Sequence, residues 1–250
     1  MRPRWTTLLP PEHGSWAFLA LPAAVGLMRR PSFSGGLLAL AVLCAFLVRT
    51  PLQRLRGPRR HPDAMAWVSL LHPLGSSAAL LALFEGSTHP LIAACIGAGL
   101  LVAWLVPAVW AVRRSLAWEL GAAALLSLQA PAILRLGGAT IREASLIWVF
   151  LALFTLPPIF YLRQRLDPKA GAARVRSSLA THAGAAALAF GAVWMGWAPL
   201  AFLLWAGLLA ARAAWGASRG WRAGRGRRLG TAEALVSCIH MALLAGWGRL

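Results

Sequence analysis

Ala144–Leu162 reads ASLIWVFLALFTLPPIFYL, nineteen residues without a charge, and Arg163-Gln164-Arg165 follows at once. At about 1.5 Å per helical residue such a run crosses a hydrocarbon core about 30 Å thick. The rest of the chain repeats the pattern. Of its 250 residues 59% are hydrophobic, with a mean hydropathy of +0.65. A soluble domain is rarely more than about half apolar. The expected class is therefore all-α, a polytopic membrane helix bundle of about nine transmembrane helices.

Apolar runs set against loop signals give spans at Ser15–Leu27, Gly36–Leu55, Ala64–Phe84, Pro90–Val112, Leu116–Leu134, Ala144–Leu162, Leu179–Trp197, Pro199–Ala217 and Ala232–Gly248. We expect one transmembrane domain over residues 1–250. Arg2 and Arg4 before an apolar stretch resemble a signal peptide, but Pro10, Pro11, Glu12 and His13 interrupt it, so a retained first helix is expected. The short Glu85–His89 and Ala198–Pro199 junctions predict antiparallel hairpins.

The net charge is +18 and the pI about 12.0. In a soluble chain that balance would point to nucleic acid. Here the basic residues fall between apolar runs, and no reader domain accompanies the Trp215–Arg228 stretch, so no nucleic acid is expected. Lys169 is the single lysine, an imbalance that marks a GC-rich genome rather than guanidinium chemistry. With the N-terminus inside, one side collects Arg2 and Arg4, Arg49 to Arg60, Arg113 and Arg114, Arg163 to Arg176, and Arg212 to Arg228. That is twenty of the 25 basic residues, against Arg29, Arg30, Arg135, Arg142 and Arg249 on the other. The positive-inside rule then predicts an inner-membrane protein, N-terminus in and C-terminus out. Trp16, Trp67, Trp118, Trp148, Trp197 and Trp247 stand near span ends, as interfacial belts require.

Ionisable groups at membrane depth are costly and face a cavity or a partner. In this orientation they gather in the cytoplasmic half. Glu12 and His13 open the first span, and His72 lies two turns into the third, before Pro73. Glu119 sits in the first turn of the fifth, Thr181 and His182 in the first turn of the seventh, and Glu233 and His240 in the ninth. The outer half offers Gln129 and three residues read as loop, Glu85, His89 and Glu143. This predicts a polar chamber open to the cytoplasm. Cys44, Cys95 and Cys238 lie in apolar runs without ligand spacing, and no His or carboxylate pair sits at ligand spacing on one helix, so no metal site is expected.

A short internal similarity adds detail. Phe46-Leu47-Val48-Arg49 ends the second span and Phe160-Tyr161-Leu162-Arg163 the sixth, and basic, Leu-containing sequence follows each. Spans four apart cross in the same direction, so this reads as a parallel two-fold repeat. Arg49 and Arg163 would then flank the cytoplasmic mouth, where paired guanidiniums suit a phosphate, diphosphate or carboxylate.

Pro11-Glu12-His13-Gly14-Ser15-Trp16-Ala17, followed by Leu21-Pro22, resembles the opening motif of the YwiC-like family of bacterial membrane proteins; Tyr161-Leu162-Arg163 is similar to that family as well. The resemblance implies a multi-spanning protein of the cytoplasmic membrane and brings no catalytic assignment. In layout the chain also resembles the UbiA prenyltransferases, whose nine helices carry Asp-rich magnesium–diphosphate motifs after the second and sixth. Here Arg49-Thr50-Pro51-Leu52-Gln53-Arg54 stands in the first of those regions, and Asp167 stands without a second carboxylate in the other. A hard divalent cation wants several oxygen ligands. Magnesium is accordingly not expected, and no other cofactor is implied.

The candidate ligand-binding residues are Glu12, His13, Arg49, Arg54, His72, Glu119, Tyr161, Arg163, Asp167 and His182. Three functions fit them. One is a binder or carrier of an anionic, phosphorylated or prenylated lipid or a small anion, with Pro73, Pro107, Pro131, Pro157 and Pro158 breaking helices as transporters do. Another is a UbiA-type enzyme in which Arg49, Arg54 and Arg163 grip phosphate. The third is an accessory subunit of a membrane complex. Membrane lipid is the one partner the sequence implies directly.

Overall fold

The computed structural model describes residues 8–9, 13–56, 62–85, 115–166, 171–218 and 226–247. Among them the chain is helical and carries no strand. In chain order the helices are α1 (His13–Arg29), α2 (Phe33–Arg56), α3 (Ala64–Glu85), α4 (Leu116–Ser127), α5 (Gln129–Leu136), α6 (Ile141–Leu166), α7 (Ala172–Trp194), α8 (Leu200–Ser218) and α9 (Gly226–Gly246). Among the described residues five stretches are long and apolar enough to cross a membrane: Phe33–Leu55, Ala64–Glu85, Glu119–Leu136, Ile141–Leu166 and Leu200–Ala217. Trp16–Arg29 and Leu235–Gly246 are shorter apolar helices. The expected span Pro90–Val112 and the Glu85–His89 hairpin lie outside the described residues, apart from Glu85 at the end of α3.

Among the element boundaries that differ from the sequence expectation, three have a clear local reason. The fifth span is interrupted at Leu128, between α4 and α5. Pro131 has no N–H to give the Ser127 carbonyl and its ring crowds that turn, which breaks the ladder there. The helix expected from Leu179 begins at Ala172 instead, because Arg174 and Arg176 are good helix formers although they are not apolar. It stops at Trp194 rather than Trp197. Gly196, at φ +69°, turns the chain, while the Trp197 N–H donates to the Ala192 carbonyl at 2.8 Å and the Gly196 N–H to that of Val193 at 3.0 Å. This left-handed cap suits glycine, which has no Cβ to clash. Gly138, at φ +80°, ends α5 in the same way.

The chain divides into two compact units, residues 1–146 and 147–250. In the first, α2 and α3 pack antiparallel. Gly75 sits so close to Cys44 that a Cβ would lie 2.8 Å from the Cys44 Cβ. Val48 and Leu71 join Cys44 in one buried cluster, and Leu38 and Val42 join Ala82 in another. Gly75, Ala78 and Ala82 recur on the buried face of α3, the small-residue spacing that lets helices approach within a membrane. Leu19 and Ile133 complete the second cluster, and the Trp16 ring meets Phe46 edge-on at 5.2 Å.

The ends of α1 and α5 and the start of α6 come together. A Cβ on Gly137 would lie 2.7 Å from that of Arg30. Arg29 Nη2 donates to Glu143 Oε1 at 3.1 Å, and Arg30 Nη2 donates to Oε2 at 3.2 Å. Glu143, expected in a loop, belongs to the first turn of α6, where its N–H donates to Thr140 Oγ1 at 3.1 Å. Thr140 and Glu143 thus stand at capping-box spacing.

In the second unit, α6 from Ile147 onward is accompanied by α7, α8 and α9. Phe150 meets Phe202 at 4.8 Å and Trp247 at 5.0 Å, and Phe202 meets Trp247 at 5.3 Å. Ala185, Ala189 and Ala192 form the buried stripe of α7, and Phe202, Ala206, Leu209 and Ala213 that of α8. Offset and edge-on aromatic pairs of this kind add about 0.5–1.5 kcal/mol each beyond their burial.

Candidate functional site

Tyr161 lies in a buried region of the second unit that also holds Ser178 and His182. It lies near the C-terminal end of α6 and is only 6% exposed. The next helix must turn back, so α7 returns past it after residues 167–170. The third turn of α7 carries His182, 2% exposed, whose ring stands edge-on to Tyr161 at 6.4 Å between centroids. From the far end of α8, Arg212 lays its guanidinium over the phenol face, with Cζ 4.5 Å from the ring centroid. One turn on, Gly216 leaves the edge of the ring its place. A Cβ there would approach Tyr161 Cε2 to 2.9 Å.

Polar atoms on α7 divide by face. On the outer face Ser177 Oγ donates to the Ala173 carbonyl at 3.0 Å, and Thr181 Oγ1 to the carbonyls of Ser177 and Ser178. On the inner face His182 Nδ1 donates to the Ser178 carbonyl at 2.7 Å. His182 Nε2 and Ser178 Oγ are both sealed from solvent and meet no hydrogen-bond partner among the described residues. Each buried polar atom left in that condition costs about 1–3 kcal/mol. His240 of α9 repeats the pattern two turns from Tyr161 along α6. It is 3% exposed, its ring lies 4.6 Å from that of Phe154, and its Nε2 finds no partner among the described residues.

A guanidinium on an aromatic face is held by roughly 0.5–2 kcal/mol and still presents planar N–H donors at its edge. Together with an imidazole, a serine hydroxyl and a phenol, it can receive an anion and hydrogen-bond what is attached to it. Among the described residues no group of three His, Cys, Asp or Glu side chains is placed to hold a metal ion.

The expected site residues are distributed unevenly. Tyr161 and His182 come together, and Arg163, half-buried, follows Tyr161 on α6. In the first unit Arg49 Cζ lies 5.6 Å from the Phe46 ring centroid. His72 adjoins Leu71, which puts it level with Val48 and Arg49 along the α2–α3 seam, yet His72 is exposed, as is Arg54. Glu119 is half-buried in the first turn of α4. His13 begins α1, while Glu12 and Asp167 lie outside the described residues. His182, expected in a first turn, falls in the third because α7 starts seven residues early.

Arg212 was legible and passed over. It falls inside the apolar span Pro199–Ala217, but its charge counts it with the basic loop beyond. Glu143 carried a signal too, the Thr140-x-x-Glu143 spacing before an apolar run. Nothing local announces Gly216 or Ser178, whose roles depend on helices packed from elsewhere in the chain.

Long apolar helices, small-residue seams and an arginine held within one of them define an integral membrane protein, a helix bundle with a polar centre in its second unit. The model of the YwiC-like protein family matches residues 9–134, just over half of the chain, and the chain belongs to that family. The match covers the opening motif, Arg49, Arg54, His72 and Glu119, and it ends before Tyr161. No curated protein and no solved structure matches the chain.

Proposed function

We propose that this protein crosses the cytoplasmic membrane about nine times, N-terminus in and C-terminus out, and binds an anionic lipid or small anion in a basic cavity facing the cytoplasm. Tyr161, His182, Arg163 and Arg212 are its ligand-binding residues. One observation carries the reading: Arg212, a permanent cation, is placed on the Tyr161 ring within an apolar helix. A charge at such depth is expensive and is kept where it has an anionic partner or a function. The cluster stands where α6 ends, α7 begins and α8 ends, and in the sequence the basic stretches Arg163–Arg176 and Arg219–Arg228 adjoin those helix ends. Those stretches belong to the cytoplasmic set under the positive-inside rule.

The test is mass spectrometry of lipids retained after gentle solubilisation, followed by rebinding in phosphatidylcholine nanodiscs doped with anionic lipid. Wild type should retain an anionic lipid, or a small anion released on denaturation, and Arg212→Ala should lower rebinding about tenfold, the loss of one charge-assisted contact. Equal retention by wild type and Arg212→Ala would contradict the reading.

A UbiA-type reaction is the alternative. It is favoured by α2 and α6, the two longest helices, which both run beyond an arginine at matched positions, Arg49 and Arg163. Transfer from radiolabelled prenyl diphosphates by the purified protein would support it. Unchanged products after Arg49→Ala plus Arg163→Ala would refute it.

A further inference from the structure

Away from the Tyr161 region, at the end of the first unit where α1 and α5 stop and α6 starts, we infer a docking surface for the headgroup phosphate of an anionic phospholipid, with Arg30 and Arg142 as its contacts. The chain folds four arginines onto this end. Arg29 and Arg30 reach the one carboxylate of Glu143, each through Nη2. Arg142 precedes Glu143 on the first turn of α6, and the Arg135 guanidinium donates to the Ala139 carbonyl in the turn between α5 and α6. The start of α2 is here too, since a Cβ on Gly35 would lie 2.9 Å from Ile133 Cγ2. Because α3 runs antiparallel to α2, Glu85 at its close adds a second carboxylate on this side. Four guanidiniums against two carboxylates leave the end cationic.

The arginines differ in what they can offer. Arg29 and Arg135 are half-buried and add charge rather than contact. Arg30 has a side chain 49% exposed, and the nitrogen it gives to Glu143 uses only part of a fork with five N–H donors. Arg142 is exposed as well. Beside these two stand apolar side chains that are uncovered among the described residues: Met28, 47% exposed, Phe33, 72%, and Ile141, 70%. Met28 and Phe33 bracket Arg30 in sequence, and Ile141 adjoins Arg142. Guanidiniums bordered by exposed hydrocarbon mark the depth at which acyl chains give way to headgroups, because arginine carries its charge outward along an apolar stem. A soluble anion would use the cations and leave the apolar collar in water. A phospholipid satisfies both, giving an anionic oxygen to the planar donors and its chains to Met28, Phe33 and Ile141. The ammonium of phosphatidylcholine opposes these arginines, so an anionic headgroup such as that of phosphatidylglycerol is preferred. In the proposed topology this end meets the outer leaflet.

The probe is a photoreactive benzoylphenylalanine in place of Phe33, in the full-length protein reconstituted into bilayers of equal parts phosphatidylglycerol and phosphatidylcholine. Crosslinks should favour phosphatidylglycerol several-fold. Arg30→Gln and Arg142→Gln, both at exposed positions, should each reduce that preference by up to about fivefold, the worth of one charge at a lipid surface. A preference that survives both substitutions together would overturn the inference. Equal crosslinking of the two lipids with all the arginines in place would overturn it as well, needs neither substitution to fold, and leaves the anion-binding reading above standing. Loss of the preference in inorganic phosphate, but not in chloride at equal ionic strength, would assign the arginines to a soluble anion and refute the lipid.

Discussion

Gly216 is where a single methyl group tests the geometry of the polar centre. Its Cα sits against the Tyr161 ring, and an alanine Cβ would need the ring to move by several tenths of an ångström. Gly216→Ala should therefore weaken anionic-lipid retention several-fold, whereas Gly207→Ala, on the same helix with open space around it, should leave retention unchanged. Equal retention by the two variants would mean that Tyr161 does not shape the site. Glu143 is the counterpart in the first unit. It holds Arg29 on one oxygen and Arg30 on the other, with the Arg29 and Glu143 side chains 11% and 22% exposed. Glu143→Gln removes both ion pairs while keeping the shape, and should cost about 1–3 kcal/mol, read as a lower thermal midpoint in detergent. An unchanged midpoint would show that the fork adds no stability. Neither contact was legible from neighbouring residues alone, since Arg29 and Glu143 are far apart in sequence and so are Tyr161 and Gly216.

Helix α7 shows what patterning conveys and what it omits. Its existence was plain from the apolar run after Leu179, and so was its tight junction with α8. Its first two turns were not, because charged residues were read as loop, although arginine sustains a helix as well as leucine does. That shift moves His182 from the first turn of the helix to the third, where it is buried. The end of the helix depends on Gly196, whose positive φ costs an L-residue roughly 1–2 kcal/mol. Gly196→Ala should lower thermal stability by about that amount. Gly191→Ala, within α7 and with nothing near the added methyl, should raise it by up to about 1 kcal/mol. Effects of the same sign in both variants would contradict the cap described here. The break at Leu128 follows from Pro131, whereas α3 continues through Pro73 and α6 through Pro157 and Pro158, where the sequence reading expected breaks.

At the scale of the whole molecule the account depends on parity. In the proposed topology the ends of the first and fifth spans and the start of the sixth share one side, and the contacts of Arg30 with Gly137 and Glu143 bring those ends together. Of the five basic residues assigned to that side, Arg29 and Arg30 share the single Glu143 carboxylate, and the Arg135 guanidinium donates to the Ala139 carbonyl. The same proposed topology assigns the basic stretches that follow α6 and α8 to the other side, at the ends of the helices that carry Tyr161, His182 and Arg212. The direct measurement is labelling of single cysteines by a membrane-impermeant maleimide in right-side-out and inverted vesicles, in a background without Cys44, Cys95 and Cys238. Gln53→Cys and Gly171→Cys should react from the cytoplasmic face alone and Arg142→Cys from the other alone. Reaction of positions 53 and 171 from opposite faces would contradict the account.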